Sequence, residues 1–205
     1  MLSKPQHQPF MVILSSPSGA GKTSICQAVV RKDRNIFYSV SATTRPRRPN
    51  ERPGKSYLFL TEEEFQRLLK RDALLESAWV YGYHYGTPKA PVLKAFRAGK
   101  DVIADLDIQG MRSCKQVLGE RAIGIFILPP SLKELHHRLL KRGTEDPAVL
   151  ARRRAALKEE LGAIPEFDYL VINDKLEQAV GDVLNIIRAE RLRTSRRRKL
   201  KEVSV

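Results

Sequence analysis

Gly21, Lys22 and Thr23 close the stretch SSPSGAGKTS, Ser15 to Ser24, and their types and spacing point to phosphate chemistry. The phosphate-loop pattern is G-x-x-x-x-G-K-[ST]. This chain meets it at Gly21, Lys22 and Thr23, with Ser16 standing where the first glycine usually is. Serine is small enough to keep the turn. In such a loop, backbone N–H groups converge on phosphate oxygens where larger side chains would collide. The following helix adds the positive end of its dipole. Lys22 would reach the β- and γ-phosphates of a nucleotide, and Thr23 would ligate magnesium.

An acid is needed on the far side of that cation. VIADLD places Asp105 at the end of an apolar run, where it can orient magnesium through water. Asp107 lies two residues on and points the same way if the strand persists. Either acid has a plainer reading, as the cap of a helix that starts at IQGMRS. Arg45 and Arg48 bracket a proline-stiffened turn in TTRPRRP, and guanidinium forks match phosphate geometry. Read alone, that run is equally a solvated basic loop.

The elements that must position these groups are legible as a rhythm. FMVILS, Phe10 to Ser15, is a short apolar run that feeds the phosphate loop, and KTSICQAVVRK has the apolar spacing of a helix. IFYSVS and KSYLFL read as strands, and TEEEFQRLLKR opens with the capping box of Thr61 and Glu64. ALLESAWVYGYHYG reads as strand and turn, and TPKAPVLKAFRAG as a helix stopped by Gly99. DVIADLD, AIGIFILPP and FDYLVIND are further strands. Between the latter two, SLKELHHRLLKR starts with a second capping box, Ser131 and Glu134; after FDYLVIND a long helix begins near Lys175. Strands alternating with helices predict an α/β fold with a parallel sheet. The stretch from Ser41 to about Ala90 breaks the alternation and reads as an insertion of strands and one helix.

Composition sets the outer limits. The 205 residues suffice for one core with small appended lobes, and 42% hydrophobic with 29% charged residues is ordinary for a globular protein. The net charge of +14 favours anionic partners without naming one. Part of it is local: Arg188 to Glu202 holds eight Lys or Arg against two Glu, and reads as a helix end running into a solvated tail. Cys26 and Cys114 have neither a pairing pattern nor metal spacing and read as small buried side chains in a reducing compartment. The apolar runs are too short to span a bilayer, and the first ten residues carry no apolar leader. The expected location is the cytoplasm.

Seven fragments in order, SPSGAGKTS, SVSATTRPRRP, LLESAWVYGYHYGT, DLDIQG, FILPPS, KRGTED and VIND, together resemble guanylate kinase, the family that phosphorylates GMP from ATP. The resemblance runs from about Phe10 to Arg193. It implies a P-loop NTPase-type parallel sheet flanked by helices, with a small GMP-binding insertion and a mobile lid. The boundaries it suggests are 10–40, 91–137 and 164–193 for the core, 41–90 for the insertion, 138–163 for the lid and 194–205 for a basic tail. It also implies roles. Ser16, Pro17, Ser18, Gly19, Ala20, Gly21, Lys22 and Thr23 wrap the ATP phosphates, with Asn173 near the ATP base. Ser41, Glu76 and Thr87 match guanine-contacting positions, and Arg45, Arg48, Tyr57 and Tyr85 match those that hold the GMP phosphate. Asp105 and Asp107 match acids near acceptor and metal. Arg138, Arg142 and Arg153 match arginines that close on the ATP phosphates. Arg153 is chosen among the consecutive Arg152, Arg153 and Arg154 by family spacing.

The residue types support those roles independently. Guanine presents two adjacent donors, N1–H and the 2-amino group, and one carboxylate accepts from both; adenine has no such pair. Glu76 is a single acid in an apolar and aromatic stretch. Ser41 and Thr87 can donate to O6 or accept from the amino group, and Tyr57 and Tyr85 can donate to an anion. The expected reaction is direct in-line transfer of the γ-phosphoryl group, with Mg2+, Lys22 and the arginines offsetting phosphate repulsion. Competing readings are a kinase for another small acceptor, a non-catalytic protein-binding module of the same family, and an RNA-binding role for the tail. No recognisable RNA module is present, so no specific nucleic-acid partner is expected. The long C-terminal helix offers a surface for a homo-oligomer contact.

Overall fold

A computed structural model describes residues 7–17, 20–131, 133–135 and 157–197. Its centre is a five-stranded sheet built from β1 (Met11–Ser15), β2 (Ile36–Tyr38), β7 (Asp101–Asp105), β8 (Ala122–Leu128) and β9 (Tyr169–Ile172). The order is β2-β7-β1-β8-β9, and every pairing is parallel. The central strand shows why a continuous apolar run was needed. Val12 and Leu14 enter one buried cluster while Met11 and Ile13 enter another on the opposite face. Both faces of a parallel sheet are covered by its crossover helices, so neither residue set can be polar.

Helix α1 (Lys22–Lys32) packs Ile25, Cys26 and Val29 on the first face, joined by Val180, Val183 and Ile187 of the C-terminal helix α5 (Leu176–Leu192). Helix α3 (Lys89–Arg97) gives Val92 and Phe96 to the second face, and α4 (Ile108–Leu118) gives Met111 and Cys114. Burying each large aliphatic or aromatic side chain contributes about 1.5–3 kcal/mol. Cys26 and Cys114 are both free and buried.

Residues 42–88 contain a second sheet of order β4-β3-β6-β5. Its strands are β3 (Ala42–Thr43), β4 (Leu58–Phe59), β5 (Leu74–Val80) and β6 (Tyr83–Pro88). β5 and β6 form an antiparallel hairpin whose turn, Tyr81 and Gly82, has φ of 50° and 86°. The period of two assigns the hairpin's faces. Glu76, Ala78 and Val80, with their partners Thr87, Tyr85 and Tyr83, share one face. The other face presents Gly86 and His84 to Phe65 of α2 (Glu62–Lys70).

Several boundaries differ from the expectation. IFYSVS is not one strand: β2 stops at Tyr38, Ser39 N–H still donates to the Ile103 carbonyl, and the chain then crosses to the second sheet. KSYLFL shrinks to Leu58–Phe59, because its partner β3 is itself a two-residue strand. Thr87 and Pro88 belong to β6, so the helix begins at Lys89. Thr61 and Glu64 do form the reciprocal capping box, at 2.8 and 3.2 Å, and Ser131 accepts from Glu134 N–H at 3.1 Å.

The solvated tail also needs correction as far as Arg197. Arg196 is 3% exposed, its guanidinium donating to the equally buried Glu190 at 2.9 and 3.1 Å and lying over the Phe10 ring. Glu190 also accepts from Tyr169 Oη at 2.6 Å, and Gln8 N–H donates to the Arg196 carbonyl. Arg191 donates to Asp101 and to Asp33 at 2.7 Å each. Part of the local positive charge is therefore matched by buried acids and turned inward.

Candidate functional site

The phosphate loop sits where β1 hands over to α1, at the C-terminal edge of the parallel sheet. Crevices for ligands form at that edge. Gly21 has φ of 93°, a left-handed conformation that glycine adopts without strain. A Cβ there would also lie 2.6 Å from Asn173 Nδ2. Asn173 is buried just beyond β9, and its Nδ2 donates to the Ala20 carbonyl at 2.7 Å. That bond braces the loop. Ser16 uses its extra hydroxyl locally: Oγ donates to the Pro17 carbonyl, and Lys22 Nζ donates to Ser16 O and Oγ at 3.0 Å each. Ser18 and Gly19 lie outside the described residues.

Across from Lys22, the strand end of β7 carries Asp105. Thr23 Oγ1 donates to its Oδ2 at 2.5 Å and Tyr38 Oη donates to its Oδ1 at 2.7 Å. Asp107 does not continue the strand. It is the N-cap of α4, accepting from Gly110 N–H at 2.8 Å, so the plainer reading of that acid holds for its hydrogen bond. Burial raises its pKa against the opposing pull of that bond and of Lys22.

The opposite side of the cavity is built on the second sheet. Glu76 is 7% exposed, and Thr87 Oγ1 donates to its Oε1 at 2.6 Å from the paired position on β6. Burial, reinforced by the charge of Asp107 and opposed by the Thr87 hydrogen bond, pushes the Glu76 pKa up to about 7. Ser41 is buried close to the same face, and its Oγ has no hydrogen-bond partner. A buried hydroxyl without a partner is costly, which fits a group held for a ligand.

Arg45 is held from several directions. Its Nε donates to Tyr85 Oη at 3.1 Å, one terminal nitrogen donates to Glu51 Oε1 at 2.7 Å, and the guanidinium lies over the Tyr57 ring. Glu51 accepts in turn from Arg48 N–H at 2.8 Å. Burial raises the Glu51 pKa, but these hydrogen bonds outweigh it and leave the carboxyl below its usual range. Glu51 had no signal in the sequence, since a lone acid in a basic, proline-rich run looks solvated. Tyr38 was hidden in the same way, as one aromatic in a strand.

One cavity of about 470 Å³ joins the two sides, lined by Gly21, Lys22 and Thr23 and also by Ser41, Arg45, Arg48, Tyr57, Glu76, Tyr85, Asp105 and Asp107. Its donor set for a cation is oxygen alone, a hydroxyl beside a carboxylate, which suits a hard divalent ion completed by phosphates and water. Among the described residues there is no group of three or more His, Cys, Asp or Glu that could hold a metal ion. Arg138, Arg142 and Arg153 lie outside the described residues.

A parallel sheet with a phosphate loop at its edge, facing an inserted lobe with a buried carboxylate, defines a P-loop nucleotide kinase architecture. The guanylate kinase family profile matches residues 8–190. The chain is 44% identical over 202 residues to a guanylate kinase of Caldanaerobacter subterraneus subsp. tengcongensis, covering 97% of this chain and 98% of that one. It is 46% identical over 182 residues to a guanylate kinase of Coxiella burnetii, covering 89% and 88%. The crystal structure of guanylate kinase from Anaplasma phagocytophilum superposes with a TM-score of 0.82 at 31% identity, over 97% of this chain and 95% of that one. The chain belongs to the guanylate kinase family.

Proposed function

We infer that this chain transfers the γ-phosphoryl group of ATP to the phosphate of GMP, giving ADP and GDP, as an enzyme of purine nucleotide metabolism. One observation carries the reading: the phosphate loop and the buried Glu76, which accepts a hydrogen bond from Thr87 behind it, line a single cavity. A donor site and a purine-selective acceptor site open on the same space.

The physical obstacle is charge. Two unit charges 4 Å apart repel by about 4 kcal/mol at an effective dielectric of 20, and transfer brings several phosphate charges together. Lys22 leaves Ser16 for the β- and γ-phosphates, and the loop N–H groups hold the triphosphate. Thr23 and Asp105 would hold Mg2+, Asp105 through water; bound there, the ion would neutralise charge on the transferring group. Arg45, already aligned by Glu51 and Tyr85, accepts the GMP phosphate with Arg48 and Tyr57. Glu76 takes the two guanine donors as a carboxylate, with Ser41 and Thr87 completing the edge and Asp107 close to the acceptor. Asn173 braces the loop and stands near the ATP base.

We assign Arg138, Arg142 and Arg153 to a lid, 138–163, that closes over ATP and excludes water, with 41–90 as the GMP-binding unit. Closure with both substrates present limits wasteful hydrolysis of ATP. Location in the cytoplasm accords with the finding that no helix among the described residues is long and apolar enough to cross a membrane. Separation of nucleotides after incubation with ATP, Mg2+ and GMP tests the reading: ADP and GDP form in equal amounts, whereas ADP without GDP contradicts it.

A further inference from the structure

Asp105 has both carboxylate oxygens engaged, and the two donors come from different parts of the chain. Thr23 reaches Oδ2 from the first turn of α1, and Tyr38 reaches Oδ1 from the last residue of β2. Tyr38 pairs with Ile103 in the parallel register, and Asp105 lies two residues beyond Ile103 on the same face. The Tyr38 ring packs on the core cluster that holds Ile103, Cys26 and Val29. The phenol is thus fixed at its base by the core, with its oxygen 2.7 Å from the carboxylate.

We propose that Tyr38 is a positioning residue for the divalent cation, acting through Asp105 and Thr23 without touching the ion. This inference rests on the kinase reading and names how its metal corner is set. A phenol beside a carboxylate donates its proton to it, here to Oδ1 at 2.7 Å. Oδ1 is therefore satisfied from the β2 side, and Oδ2 is left to Thr23. The single Thr23 proton is then committed to Asp105, which turns the hydroxyl lone pairs outward for the cation. Two short charge-assisted bonds also stop the carboxylate from rotating. Without Tyr38, Oδ1 becomes a competing acceptor for Thr23 and for water, and the lone-pair direction is no longer unique.

Tyr38 also stands at the junction where the chain leaves the large sheet for Ser41 and Arg45. It therefore belongs to the acceptor segment in sequence and to the donor site in space. No motif reading separates it from a core aromatic, because its hydroxyl partner lies 67 positions away.

The test is calorimetry of ADP binding to the full chain, with Mg2+ and with EDTA, for the wild type and Tyr38→Phe. The substitution removes one oxygen and keeps the ring in the core. Loss of one hydrogen bond to a charged group predicts that Mg2+-dependent tightening shrinks by about 10- to 150-fold. ADP affinity in EDTA stays within about twofold. In an Asp105→Asn background, Tyr38→Phe adds no further loss of the Mg2+ effect, because the two residues act as one unit. An unchanged Mg2+ effect in Tyr38→Phe, or equal weakening with and without the ion, overturns the proposal. A wild type that binds ADP under neither condition overturns the kinase reading and this inference with it.

Discussion

Thr87 donates across 2.6 Å to Oε1 of Glu76, which lines the same cavity as the phosphate loop. That bond fixes Oε1 of a buried acid and leaves its other oxygen and remaining lone pairs for the guanine donors of the proposed function. Glu76→Gln puts an amide donor among two guanine donors. A site built for a polar partner can lose about 10⁴–10⁵ in discrimination when the match is removed, and one surviving acceptor lowers the expected loss in kcat/KM for GMP to about 10²–10³. Steady-state kinetics with GMP varied at saturating ATP reads it; an unchanged kcat/KM removes Glu76 as the base reader.

The same acid makes GMP binding pH-dependent. With a pKa near 7 in the nucleotide-free protein, Glu76 is partly protonated at neutrality, whereas guanine needs the carboxylate. GMP affinity therefore falls as pH drops below about 7, and binding at pH 7 releases about half a proton from this site. Calorimetry in buffers of different ionisation enthalpy measures that release, and Glu76→Gln should diminish it. The linkage to stability has the matching sign. The folded pKa is raised from 4.5 to about 7, so the stabilising contribution of the neutral acid is present below 4.5. It is lost as pH rises through 7, on the order of 3 kcal/mol in the absence of nucleotide.

Gly110 sets how closely Glu76 approaches α4. A Cβ there would lie 3.0 Å from Glu76 Oε2 and 3.2 Å from Asp107 Oδ1. Gly110→Ala must displace the carboxylate by a few tenths of an ångström, because the helix backbone cannot yield. KM for GMP should rise about tenfold, the cost of a misaligned charged hydrogen bond, with ADP affinity unchanged. A change confined to ADP would contradict this geometry.

Lys22→Ala should lower GDP formation by about 10³-fold or more, since it removes a preorganised cation from the transferring phosphates. The circular dichroism spectrum and melting temperature should remain close to wild type, because Lys22 is bonded to Ser16 at the surface of the loop and not within the core.

Arg196→Ala tests the packed tail. Glu190 would keep Tyr169 but lose its buried cation, and breaking such a pair costs about 3 kcal/mol. Thermal unfolding should shift down by several degrees with kcat unaltered, as these residues lie outside the nucleotide cavity. A melting temperature that does not move would restore the solvated reading of this segment.

Much of this architecture is written locally. Phe10 to Thr23 announces strand, loop and helix because burial on both faces, a left-handed glycine and a helix-start lysine leave separate marks in adjacent positions. Glu76 stood out because a carboxylate in an apolar strand needs a reason. What stayed hidden depends on contacts between distant segments. Tyr38 against Asp105, Glu51 under Arg45, Asn173 beneath Ala20 and Arg196 on Glu190 are ordinary side chains until the fold joins them. Asp107 was ambiguous for a different reason: an N-cap and an acceptor-site acid require the same residue at the same place.

One cavity is lined by both the phosphate loop and Glu76, and the proposed function makes it join a triphosphate donor to a guanine-selective acceptor. The most direct measurement is the kcat/KM of ATP-dependent phosphorylation for GMP, AMP, CMP and UMP, assayed in parallel with Mg2+. The account predicts turnover of GMP at least about 10³-fold above each of the others, since the rejected bases leave the buried Glu76 without its paired donors. Equal turnover of AMP, or none of GMP, would contradict it.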